Sequence, residues 1–259
     1  MKSAKKLFFL ATFLIISLTT INPLYAQIKV GNGVISGDFA LNGMFYQPDS
    51  LIGAEKVDSK VRANSWLNLQ YTNSGFTVGA RYEFYSFPLI DFEKIGYKGQ
   101  GITNYFVDYK NDFIQVTAGT FYEQFGQGFT LRSYEDRLLG IDNSLLGMRV
   151  KATPYKGIYL KGVWGIERKN FDFNYAERND YIRGLDAEIA LADMIPAIGN
   201  SGVTATIGGS FVSKFEKSLN DIYFSVFPNG DTIPVTVNAD KIPQNVATWA
   251  GRINLGYKG

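Results

Sequence analysis

Cysteine and histidine are both missing from the 259 residues, tryptophan occurs three times, and no apolar run is long enough to cross a bilayer as a helix. Without cysteine no disulfide braces the chain, so burial and hydrogen bonding must hold it. Without histidine there is no imidazole to serve as general base, nucleophile partner or metal ligand. The acids that remain, such as Glu135 beside Asp136, point to opposite faces of an extended backbone and cannot act on one bond together. The chain therefore reads as a non-enzyme, with no catalytic residues, no metal ligands and no cofactor.

The first residues, "MKSAKKLFFLATFLIISLTTINPLYAQIKV", place three lysines before an apolar run from Leu7 to Leu18 and end that region on Ala26. A spanning helix needs about 20 apolar residues, so this order predicts a secretory signal peptide over 1–26. Removing Lys2, Lys5 and Lys6 leaves 23 basic against 24 acidic residues, a net charge of −1. A nucleic-acid partner is not indicated.

What is present is aromatic and glycine-rich: 20 Phe, 16 Tyr and 27 Gly, which suits pleated sheet. In "FTVGARYEFYSF" (76–87), Phe76, Val78, Ala80, Tyr82 and Phe84 alternate with Thr77, Gly79, Arg81 and Glu83. That is the period of a strand with one apolar and one polar face. The pattern recurs and predicts ten strands, near 34–46, 63–73, 76–87, 102–110, 113–125, 145–153, 158–167, 183–193, 202–216 and 246–257. Long and short connections alternate between them, and the short ones carry turn residues, as in "NSG" (73–75) and "TPYKG" (153–157). One-sided loops of this kind are expected of a transmembrane antiparallel up-and-down β-barrel with tight periplasmic turns and large external loops.

On this reading the apolar face meets lipid and the polar face lines a lumen. The expected lumen-lining residues are Arg81, Glu83, Asp108, Arg149, Lys151, Lys161, Glu188 and Arg252. Aromatics near strand ends, among them Phe45, Tyr71, Tyr109, Phe121, Tyr122, Tyr159 and Trp164, are expected in interfacial girdles. Residues 123–144, "EQFGQGFTLRSYEDRLLGIDNS", combine Glu123, Arg132, Glu135, Asp136, Arg137 and Asp142 with Phe125, Leu131 and Ile141. That mix predicts a constriction or plug inside the lumen, with Arg132 and Arg137 paired bidentately to carboxylates. The alternative is an amphipathic helical turn at 133–139 lying over the rim.

The "YAQ" ending of the signal region, the all-β pattern and the run "FYEQFGQG…LRSYEDR…GIDNS" resemble an uncharacterised family of outer-membrane β-barrel proteins from Bacteroidota. The resemblance implies the outer membrane of a Gram-negative bacterium, with lipid and lipopolysaccharide around the barrel; it brings no activity or substrate. "GYKG" (256–259) repeats the "PYKG" (154–157) that precedes an outward strand. The barrel domain over 27–259 is therefore expected to continue as part of a larger barrel, the alternative being a complete ten-stranded one. Two functions remain open: a channel or transporter for small polar solutes, or a scaffold or receptor-like barrel. The second would hold a protein partner in the outer membrane, a surface glycan or a secretion component on its external loops.

Overall fold

A computed structural model describes residues 27–53, 57, 59–86, 99–137, 140–169, 171, 180–216, 222–226, 232–236 and 243–257. The expected signal peptide, 1–26, lies outside them. In chain order the strands are β1 (Gln27–Val30), β2 (Gly33–Phe45), β3 (Val61–Asn73), β4 (Phe76–Tyr85), β5 (Gly99–Lys110) and β6 (Ile114–Phe121). There follow β7 (Glu135–Asp136), β8 (Ile141–Asp142), β9 (Leu145–Tyr155), β10 (Ile158–Glu167), β11 (Tyr181–Ala190) and β12 (Val203–Phe215). The last are β13 (Ile222–Val226), β14 (Thr232–Thr236) and β15 (Asn245–Tyr257).

Eleven of these form one all-antiparallel sheet in up-and-down order, β1 to β6, then β9 to β12, then β15. All ten expected strands are in it, and the short β1, which pairs with the start of β2, is an addition. Among the described residues the sheet is open, with β1 and β15 as its edges. β7 with β8, and β13 with β14, make two separate hairpins, the second within the long connection between β12 and β15. No helix among the described residues is long and apolar enough to cross a membrane.

Local chemistry sets the turns. β3 and β4 meet through Ser74 and Gly75, both at positive φ (47° and 87°), the geometry of a two-residue hairpin turn whose twist matches the flanking strands. The strand expected over 183–193 ends at Ala190 instead. Two short helices, Leu191–Met194 and Pro196–Asn200, then carry the chain to β12. Pro196 has no N–H for a ladder but fits the first turn of a helix.

Register puts the polar side chains in rows. Asp38 faces Asn68, Asn68 faces Arg81, Asp108 faces Thr117, and Thr117 faces Arg149. Lys161 faces both Lys151 and Asp186, while Gly208 faces both Glu188 and Arg252. The other face carries Phe39, Leu69, Val78, Val107, Met148, Leu185, Ile207, Trp249 and Ile253, all exposed. The usual polarity of a globular sheet is inverted: Leu185 is 67% and Trp249 81% exposed, whereas Glu83 is 0%. Most charged groups are sheltered and most large apolar ones are bare.

Candidate functional site

The connection after β6 turns onto the polar face. That is why the strand expected to reach residue 125 stops at Phe121. The segment opens as a small hairpin: Phe125 N–H donates to Leu131 O at 3.0 Å and Ser133 N–H to Glu123 O at 2.9 Å. The β7–β8 hairpin follows. Asn143 fastens it, accepting from Tyr134 N–H through Oδ1 at 2.6 Å, while Ser133 Oγ donates to Asn143 O at 2.7 Å. Backbone donors that a helix would use internally are thus committed across the hairpin, which is why residues 133–137 do not form the alternative helical turn. Leu138 and Leu139 lie outside the described residues.

Phe125 and Leu131 fill a buried apolar cluster with Phe121, Leu145, Val163, Ile182 and Val212, supplied by β6, β9, β10, β11 and β12. Phe125 lies over Gly184, where a Cβ would come within 2.7 Å of the ring, so this position of β11 admits only hydrogen. Farther along, Gly126 sits against the Arg252 side chain of β15 and Thr130 Oγ1 donates to Ser210 Oγ of β12 at 2.9 Å. At the opposite end the Arg137 guanidinium lies 4.8 Å over the Trp66 ring of β3. The segment crosses the polar face from β15 to β3, and the sheet wraps around it.

Two charged clusters tie it down. In the first, Glu123 is met by Lys151 Nζ at 2.8 Å, Lys161 Nζ at 3.1 Å and Arg149 Nη1 at 3.6 Å. Burial pushes the Glu123 carboxyl up, but contact with Lys151 and then Lys161 outweighs it and holds the group below its ordinary range. In the second, Arg81 grips Glu135 bidentately at 2.8 and 3.1 Å. Arg137 Nε donates to Glu135 at 3.0 Å, and Arg168 donates to Glu83 at 2.8 Å and to Asp142. Tyr122 Oη donates to Asp142 at 2.9 Å; burial, then the Asp142 and Glu135 carboxylates, push its hydroxyl well above the ordinary value. It stays a neutral donor.

A third cluster joins strands only: Arg252 holds Asp186 at 2.6 and 3.1 Å and Glu188 at 2.9 Å. All eight expected lumen residues therefore sit on the polar face, Asp108 accepting from Gln115 at 3.0 Å and from Thr117. Of the six expected in the segment, Glu123, Glu135, Arg137 and Asp142 bind as described, and Asp136 pairs with Ile141 in the β7–β8 ladder. Arg137 binds Glu135 through Nε alone rather than bidentately, and Arg132 does not take the expected carboxylate. It is exposed, with its guanidinium 4.6 Å over the Tyr134 ring, because bidentate pairing falls to the wall residue Arg81. Phe121 and Tyr122 likewise point inward rather than into a girdle.

Sequence reasoning missed Arg168, which sits just past β10 and reaches Glu83 of β4 across 85 residues of chain. No local pattern encodes that contact. It also missed Asn64, Trp66, Asn68 and Gln70, although their alternation with Leu67, Leu69 and Tyr71 marks them as one face of β3. Among the described residues no group of three or more acidic side chains is placed to hold a metal ion.

A family profile matches residues 4–259, and the chain belongs to that family, DUF6029, a family of unknown function. No curated protein matches it.

Proposed function

We propose that this chain is an outer-membrane β-barrel that passes small polar solutes through a lumen constricted by residues 123–144. The inverted polarity of the sheet carries this reading. Large exposed apolar side chains on ten of the eleven strands would be costly in water, and hydrocarbon removes that cost. Most main strands run 10 to 13 residues, enough for a tilted crossing, which takes about 9–11. Phe76, Phe113, Tyr155, Tyr159 and Tyr257 are exposed beside the short turns, where an interfacial girdle belongs. Hydrocarbon tolerates no open edge, so β1, the rest of β2's outer edge and β15 are joined in the membrane, directly or through further strands.

The constriction is supported by the segment that crosses the polar face and by its two charged clusters. The same crossing favours a second reading, a sealed barrel whose external loops hold a protein partner or surface glycan. Fractionation and reconstitution test both. The chain should separate with the outer membrane, migrate differently on gels before and after heating, and give stepwise current in a planar bilayer. Recovery as a soluble periplasmic protein defeats the membrane reading. A folded but silent barrel that copurifies with a stoichiometric partner moves the assignment to the second.

A further inference from the structure

Below the second charged cluster, towards the short turns, lies a cavity of about 580 Å³ on the polar face of β2 to β6. Its size falls within the range of small-molecule sites, about 300–1,000 Å³. Its wall is pre-set by side-chain hydrogen bonds: Asn68 donates to Asp38 at 2.8 Å, Gln70 to Ser36 at 3.0 Å and Arg81 to Asn68 at 2.8 Å. The Arg81 charge is already matched by Glu135 and Glu83, so no free cation invites an anion.

Beside it, β5 carries a bulge opposite Arg81 and Tyr82, which inserts Thr103 between the paired Ile102 and Asn104. Both Thr103 and Asn104 are buried, so the bulge breaks the alternation and turns two consecutive polar side chains inward. Among the described residues no hydrogen bond engages the Asn104 amide, which lines the cavity at 8% exposure. The Thr103 hydroxyl is likewise buried without a partner. An amide with unused donors and acceptor, lining a cavity of mixed polar and apolar surface, is available to a ligand that can meet both.

We propose that this cavity binds a neutral polyhydroxylated solute of the size of a mono- or disaccharide. Its hydroxyls donate to Asp38 and accept from Asn104 and Gln70, while Phe106 and Tyr122, which also line the cavity, supply apolar ring surface to the C–H faces of a sugar. The inference rests on the solute-channel reading and names the solute class.

The test is saturation-transfer NMR on the full chain folded in detergent micelles, with glucose and maltose as probes. Transfer to the protons of at least one sugar is expected. Asn104→Leu should weaken that binding about tenfold, the cost of one buried hydrogen bond, and Gln70→Leu, at an exposed position, severalfold, each with an unchanged far-UV circular dichroism spectrum. Should either fail to fold, Ser36→Ala takes its place and should weaken binding severalfold. No transfer to either sugar, or equal affinity in wild type and every folded variant, overturns the proposal. Binding is read without conductance. A chain that binds sugar but passes no current fails only the channel reading, and one that conducts but binds neither sugar fails only this one.

Discussion

Replacing Phe125 with alanine should undock the crossing segment while leaving the wall intact. Phe125 is 1% exposed, and its ring is shared among side chains from five strands and Leu131. Truncating so buried a phenylalanine costs about 3–5 kcal/mol. The wall is held by its own backbone ladders, so the loss falls on docking. At about 1.4 kcal/mol per tenfold, the undocked population should rise by roughly two to three and a half orders of magnitude. The missing cysteines make a clean assay possible. Ser133, 6% exposed, accepts a near-isosteric Ser133→Cys change, and this sole thiol should react with a maleimide only when the segment lifts. Gly184→Val should raise the labelling rate too, since its Cβ would sit 2.7 Å from the ring. The pair should be less than additive, because Phe125→Ala removes the group that Gly184→Val strikes. Labelling unchanged by either substitution, in a chain that still folds, refutes the docking geometry.

Three further outcomes are expected. Arg168→Met should lower stability by about 3–5 kcal/mol, because it leaves Glu83 buried without its main cation; pairing it with Glu83→Gln should recover much of the loss in thermal unfolding. The folded Glu123 carboxyl lies below its unfolded range, so its contribution to docking is full above about pH 4.3 and is lost as pH falls through the lower folded value. Maleimide labelling of the Ser133→Cys variant should therefore rise on acidification, and adding Glu123→Gln should flatten that limb; an unchanged acid limb in the double variant places the sensitivity elsewhere. Leu185→Arg, on the bare apolar face, should cut folded yield in lipid vesicles by the equivalent of about 2–4 kcal/mol, and an undiminished yield would argue against lipid contact there.

The strands were legible because alternation is local. Phe76 to Phe84 against Thr77 to Glu83 fixes a two-faced strand from one short window, and side chains two apart cannot escape sharing a face. The same rule assigned all eight charged wall residues to one side, and the mixture of charge and large apolar groups in 123–144 marked that segment as something other than a solvated loop. Its fold was not legible. Whether Glu135 would meet Arg137, Arg132 or Arg81 depends on which strands the segment crosses, and Arg81 is 54 residues away in the chain. Arg168 with Glu83, Phe125 over Gly184 and the inward turn of Asn104 at the β5 bulge belong to the same class. Periodicity tells a residue which way to face, but only the packing of the segment across the polar face of the sheet brings together groups that the sequence keeps far apart.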